Sequence, residues 1–242
     1  MIITPEIWPE LARYYKNTQN CIWWLGVDAN PQHTLHMDAL FTRPDILHLS
    51  TSDYVREHLN NNKVPYQTPL IDGYIDDTFL EKHHFTKKDQ VCFNATGGMR
   101  QTTIDVVNTL QSKYPDLSFI PIRNMTKNEV IQVLGESKVY LEFGNLPGKE
   151  KLLREAVLQD CCVITRGDIG CGRFFNDITV VDNYKTHPFD FDTIYTKIQE
   201  CFSDHGTKIN DFQLYKNTLL VQKAQFDLDV ERLFIGKDLK EM

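Results

Sequence analysis

Short apolar runs alternate with polar stretches punctuated by glycine and proline along the whole chain. Runs at 2–4, 21–26 and 46–50 have the length and density of buried strands. Between them the spacing predicts a helix over 8–16, with Pro9 in its first turn. A second helix is predicted over 54–60, with Thr51 or Ser52 as its cap. Pro69-Leu70-Ile71-Asp72 closes this portion. From 90 onward the alternation sharpens. A strand at 91–94 leads through the glycine-rich loop 95–100 to a helix ending at Lys113. A strand follows at 117–122, where Pro121 marks a sheet edge. Thr126 and Glu129 form a capping-box pattern at the start of a helix over 126–136. A strand at 138–143, a Gly/Pro loop, a helix carrying Leu152, Leu153, Ala156 and Val157 at helical spacing, and a strand at 161–164 complete the unit. A second glycine loop at 167–172, a strand at 178–181, and helices over 191–202 and 211–234 finish the chain.

Strand and helix alternating in this way indicate an α/β fold built on a Rossmann-like, doubly wound parallel sheet. The pattern divides the chain into a shortened α/β part at 1–75, a charged, histidine-rich linker at 76–89 and a larger α/β domain at 90–242. In such sheets ligands bind beyond the carboxyl ends of the strands. The loops 94–100, 143–149 and 166–174 all lie beyond such ends, so three loops converge on one edge.

Composition narrows the chemistry. The 242 residues carry 26 Lys and Arg against 33 Asp and Glu, a net charge of −7. Without a basic surplus the chain is not expected to bind nucleic acid generally. No apolar run has the length of a membrane span, and no basic segment followed by an apolar stretch opens the chain, so a cytoplasmic location is expected. The six cysteines form no CxxC pair and lie mainly in apolar runs, as buried free thiols do in a reducing compartment. No metal site is expected. Asp190-Phe191-Asp192 reads as a helix cap and Asp227-Leu228-Asp229 as part of a helix. His33, His36 and Asp38 read as solvated loop residues, and His83-His84 as surface. Trp23-Trp24 is a core or interface pair. The loop at 94–100 has neither the lysine of a phosphate-binding P-loop nor a GxGxxG spacing.

The stretch from Gly144 to Thr165 carries the most specific chemistry. The first turn of its helix offers free amides and a partial positive charge to an anion. Lys149 adds a full charge nearby, and Glu155 stands about two turns further on, where a carboxylate can accept from ribose hydroxyls. Pro147-Gly148-Lys149, then Arg154-Glu155-Ala156-Val157, then Cys161-Cys162-Val163-Ile164-Thr165 resemble the helix and strand that bind the sugar nucleotide in GT-B glycosyltransferases. The segments 48–55 and 69–75 are similar to the passage between the two domains of that family, and 215–234 to its return helix. The likeness covers most of the chain and points toward bacterial proteins of capsule and surface-polysaccharide assembly.

The resemblance implies a metal-independent transferase that takes a nucleotide-diphosphate sugar as donor substrate, with no further cofactor. A sugar or lipid-linked acceptor would receive the sugar. Glu155 would hold the ribose hydroxyls, and Gly148 with the Lys149 amide would meet the diphosphate. Thr96, Gly97 and Gly98 would approach the diphosphate from the other side, with Arg100 neutralising it. The family helix carries an additional Glu eight positions before the second. Pro147 stands there in this chain, so no catalytic residue is assigned. The short first part implies a homodimer or a partner chain that completes the N-terminal domain, the protein then acting as a binding or assembly module. Attachment at the inner face of the membrane belongs to the same implication.

Overall fold

The computed structural model of the protein describes residues 1–27, 43–66, 73–81 and 83–235. The predicted loop at 28–34, the group His33, His36 and Asp38, and the segment 69–72 lie outside the described residues. The chain divides into two compact units. The first comprises Met1–Tyr74, Pro147–Lys149 and Val221–Met242, and the second Ile75–Leu146 and Glu150–Leu220.

The first unit is organised on a parallel sheet in the order β1 (Ile2–Pro5), β2 (Asn20–Trp24), β3 (Ile46–Ser50). Helix α1 (Asp53–Asn61) starts at Ser52, whose side chain accepts from the Val55 amide. Its Val55 and Leu59 pack with Ile22, Trp24 and Ile46 on one face of the sheet. The other face, through Cys21, Leu47 and Leu49, meets Phe226, Val230 and Leu233 from the end of the chain. A sheet covered on both faces needs apolar residues at successive positions, which is why β2 and β3 read as continuous runs rather than alternations. The predicted helix over 8–16 is a single 3-10 turn, Pro9–Arg13. Trp8, Tyr14 and Tyr15 stay exposed, so no apolar stripe exists to hold a longer helix.

The second unit contains β4 (Lys88–Asn94), β5 (Phe119–Ile122), β6 (Ser137–Glu142) and β7 (Cys162–Thr165), all parallel in the order β5-β4-β6-β7. Pro121 lies on β5 at the sheet edge, as its missing N–H requires. Helices α2 (Gln101–Lys113), α3 (Lys127–Glu136), α4 (Lys151–Leu158) and α5 (Phe191–Ser203) follow β4, β5, β6 and β7 respectively. Contacts join α2 to α5 and α3 to α4, so helices cover both faces. The capping box of Thr126 and Glu129 opens α3, and the Asp190 side chain caps α5. All six cysteines are buried and free.

Two predicted elements take another form. Residues 178–181 are not a strand, although Ile178 and Val180 are fully buried. The Val180 amide donates to the Ile178 carbonyl at 2.8 Å, and this tight turn consumes groups that a ladder would use. The helix predicted over 211–234 is broken into α6 (Gln213–Leu220), α7 (Gln222–Val230) and a π-helical turn, Glu231–Ile235. The break falls at Val221, where one compact unit gives way to the other.

Candidate functional site

The order β5-β4-β6-β7 has one topological switch point. From β4 the chain crosses to β5 on one side, and from β6 it crosses to β7 on the other. The two connections therefore part above the carboxyl ends of β4 and β6 and leave a crevice, the position where such sheets hold ligands. The loops that border it are Ala95 to Arg100 and Phe143 to Leu146.

The first loop is built to expose backbone. Asn94, at the end of β4, accepts from the Thr96 amide at 3.2 Å and from its hydroxyl at 2.9 Å, which folds the chain back on itself. Gly97 and Gly98 follow with φ of +76° and +61°, and a Cβ at either would meet nothing within 4 Å. Here glycine serves the left-handed backbone and leaves open space on its surface. The loop then passes through a 3-10 turn, Gly98–Arg100, into α2. The Asn145 amide donates to the Met99 carbonyl at 3.1 Å, joining the two loops.

Arg100 brings a cation to the crevice. Its Nη2 donates to Glu150 Oε2 at 2.6 Å. Its Nε is buried and has no partner among the described residues. Burial works against the charge, but Glu150 and Glu142 more than offset it, and the guanidinium pKa lies above its usual value. An unpaired buried donor of a charged group is costly unless an acceptor arrives, and each such bond contributes about 1.5–3 kcal/mol.

Beneath the loops, at the carboxyl end of β6, sits Glu142, only 1% exposed. Its Oε1 accepts from the Gly144 amide at 2.8 Å and the Thr103 hydroxyl at 3.2 Å, and its Oε2 from the Tyr140 hydroxyl at 3.1 Å. Burial, with help from the Glu150 charge, raises its pKa to about 7. The Gly144 amide, the Arg100 charge and the Tyr140 hydroxyl pull the other way without prevailing, so the group changes charge near neutrality. Thr103 also accepts from the Phe143 amide at 2.9 Å, so Glu142 and Thr103 together hold the loop after β6. Sequence reasoning passed over Glu142 and Glu150. The signal for Glu142 was a lone carboxylate inside the apolar run Val139-Tyr140-Leu141-Glu142-Phe143.

The other predicted residues are distributed as follows. Thr96, Gly97, Gly98 and Arg100 share the loop after β4. Glu155 lies on α4, 5% exposed, with Lys151 Nζ 3.6 Å from its Oε1. Burial raises its pKa, and Lys151 opposes the shift. Gly148 and Lys149 belong to the first unit. A Cβ on Gly148 would stand 2.3 Å from the Leu25 carbonyl oxygen, and the Val27 amide donates to the Pro147 carbonyl at 3.1 Å. Gly148 is thus required for a close approach of two backbones, whatever else its amide does.

No protein-family model and no curated protein sequence matches the chain. Solved structures do. A variant of S. aureus TarM, in complex with Fondaparinux, alpha-GlcNAc-glycerol and UDP, superposes with a TM-score of 0.67 at 12% identity, covering 95% of this chain. The present chain spans 54% of that protein, about half its length. Sucrose-phosphate synthase from Thermosynechococcus elongatus matches with a TM-score of 0.63 at 12% identity, over 95% of this chain and 73% of its own. The pneumococcal O-GlcNAc transferase GtfA, in complex with UDP and GlcNAc, matches with a TM-score of 0.56 at 13% identity, over 93% of this chain and 59% of its own. These likenesses, like the motif resemblance, concern architecture. The chain has the α/β fold of GT-B glycosyltransferases, with a first sheet of three strands among the described residues.

Proposed function

We propose that the protein binds a nucleotide-diphosphate sugar at the crevice beyond β4 and β6 and transfers its sugar to an acceptor hydroxyl. The observation that carries this reading is the buried, unpartnered Nε of Arg100, beside two glycines whose backbone faces open space. A diphosphate offers the acceptor oxygens that this donor lacks, and the glycine loop lets it approach the backbone. In the reaction the acceptor oxygen bonds to the anomeric carbon, the bond from that carbon to the diphosphate oxygen breaks, and the hydroxyl proton goes to a base. The protein stabilises the leaving diphosphate by the fixed amides of the glycine loop and by the charge of Arg100. Glu155 accepts from the ribose hydroxyls. No metal is needed for this scheme. UDP is the first nucleotide to test, because TarM and GtfA were both solved with it. A role in surface-polysaccharide assembly, with a sugar or lipid-linked acceptor, follows the same reading, as do a cytoplasmic location and attachment at the membrane face. Among the described residues no helix is long and apolar enough to cross a membrane.

Calorimetric titration with UDP, GDP, CDP and dTDP tests the proposal. One nucleotide binds selectively, and Arg100→Ala weakens it at least tenfold, about 1.4 kcal/mol or more. Binding of none of the four, or equal binding by the variant, overturns it.

One observation favours a second reading. Glu150 already holds the Arg100 guanidinium at 2.6 Å and competes with any incoming phosphate. A non-catalytic module that engages a sugar nucleotide only with a partner chain would tolerate that competition. Turnover separates the two: an enzyme consumes the sugar nucleotide by itself, and a module does so at no measurable rate.

A further inference from the structure

At the opposite end of the second sheet, where β4, β6 and β7 begin, lies a cleft of about 590 Å³ that the proposed reaction does not use. Its location follows from the topology. Lys87 stands just before β4, Ser137 opens β6, and Asp160 stands just before β7. The amino ends of a parallel sheet are far from the switch-point crevice, so the cleft is a separate feature. Its size is within the range of small-molecule sites.

Two kinds of surface line it. The apolar part includes Phe85, Phe79, Leu158 and Ile209. The Phe85 ring is pressed onto Gly135, where an added Cβ would stand 2.1 Å from the ring, so its position is set by packing. The polar part includes His83, His205, Asp160 and Lys216.

The hydrogen-bond inventory decides what ligand suits these groups. Lys87 spends its three donors on the carbonyls of Leu134 (3.0 Å), Ser137 (2.7 Å) and Gln159 (2.6 Å), so it has none for a ligand. His83 Nε2 lies 2.9 Å from the Thr78 carbonyl, and His205 Nε2 lies 2.9 Å from the Asp160 carbonyl. A carbonyl only accepts, so both Nε2 atoms carry a proton, and Nδ1 is the ring atom left to meet a ligand. Burial lowers the His205 pKa, which keeps that ring neutral at pH 7. Lys216 pairs with Asp160 and retains further N–H donors. The cleft therefore sets ring nitrogens, the neutral His205 acceptor among them, and a cationic donor beside an aromatic face. A free anion would meet the His205 acceptor nitrogen and the Asp160 carboxylate. A hydroxyl both donates and accepts, and fits either kind of group.

We infer that this cleft is a saccharide-binding site. A short oligosaccharide would lay the C–H face of one ring on Phe85 and place its hydroxyls against His83 Nδ1, His205 Nδ1 and Lys216. The site is independent of the nucleotide crevice. It holds a glycan without reacting with it and suits a chain that handles sugar polymers. This last point alone rests on the proposed function.

The test is a methyl-resolved NMR titration of the full chain, following Leu158 and Ile209, with maltotriose, chitotriose, mannotriose and galactotriose. At least one of them shifts these signals in a saturable way, with UDP present or absent. Two rim substitutions weaken that binding at least tenfold: Lys216→Met removes the donor, and Gln213→Trp fills the cleft. Neither replaces a core side chain, so the folded state is retained. Lys113→Met, outside the cleft, leaves the affinity unchanged. No saturable shift with any of the four sugars overturns the inference. So does unchanged affinity in both rim variants, or complete displacement of the sugar by UDP. Loss of UDP binding with the sugar response intact would sink the nucleotide proposal and leave this one standing.

Discussion

The two ends of the second sheet handle the same problem in opposite ways. At the amino end, helix carbonyls need donors. The Leu134 carbonyl, near the end of α3, and the Gln159 carbonyl, just past α4, both receive a hydrogen bond from Lys87, with Ser137 as a third acceptor. A cation at helix carboxyl termini meets both the orphan carbonyls and the macrodipole. Every polar group of Lys87 is satisfied, and the result is structural. At the carboxyl end, Arg100 keeps a buried donor unpartnered and Glu142 is a buried carboxyl that titrates near neutrality. Unfinished polar arrangements of that kind are tolerated where a ligand completes them. The contrast between a closed network and an open one, more than the presence of charge, separates the scaffolding role of Lys87 from the binding role proposed for Arg100.

Breaking the closed network should have the largest effect. Lys87→Met leaves three carbonyls without their common donor and is expected to lower stability by about 3 kcal/mol or more, read as a reduced urea midpoint. Nucleotide affinity of the folded fraction should not change. A stability loss too small to measure would mean that water replaces the ammonium at no cost.

The next effect is a pH dependence at the other end. The folded-state pKa of Glu142, about 7, lies above its unfolded value of about 4.5. The native state therefore holds a proton that the unfolded chain has released between these values. Its contribution is fully present below about pH 4.5 and is lost as pH rises to about 7, a fall of about 3 kcal/mol at most. Glu142→Gln keeps acceptors for Gly144 and Thr103 and removes the titration. Unfolding free energy measured from pH 5 to 8 should fall more steeply in the parent protein than in the variant. Parallel curves would show that Glu142 is ionised throughout.

Smaller effects sharpen the assignment of the crevice. Glu155→Ala is expected to weaken nucleotide binding at least tenfold, about 1.4 kcal/mol, in the calorimetric assay. Unchanged affinity would remove Glu155 from the proposed ribose site and leave it as a buried partner of Lys151. Smallest of all, Asp192→Asn breaks an exposed pair with Lys113 and should leave the melting temperature unchanged within error. A clear drop there would show that surface pairs matter more in this protein than the comparison of the two ends allows.

Much of this architecture was legible in the chain because it depends on local patterns. Continuous apolar runs marked strands covered on both faces, Pro121 marked an edge, and the pair Thr51 or Ser52, Thr126 and Asp190 marked helix starts. Gly97 and Gly98 announced a loop, and Arg100 was a visible cation beside it. The break at Val221 and the turn at 178–181 were not legible: helical spacing continues across the change of unit at Val221, and the apolar run at 178–181 is buried in a tight turn rather than in a ladder. His83-His84 read as surface, and His84 is exposed; what the sequence did not show is that both line a cleft, with His83 Nε2 against the Thr78 carbonyl.

The sequence by itself determined the alternation of strands and helices, the parallel sheets this requires and the loops beyond their carboxyl ends, because apolar periodicity and turn chemistry act over a few residues. Only the tertiary structure decided which charges meet. Arg100 and Glu150 are 50 positions apart and Glu142 and Thr103 are 39 apart, and their encounter depends on the order β5-β4-β6-β7. The pKa of Glu142 near 7 is of the same kind, since desolvation is a property of the surroundings that the fold assembles around a group and not of the group's neighbours in sequence.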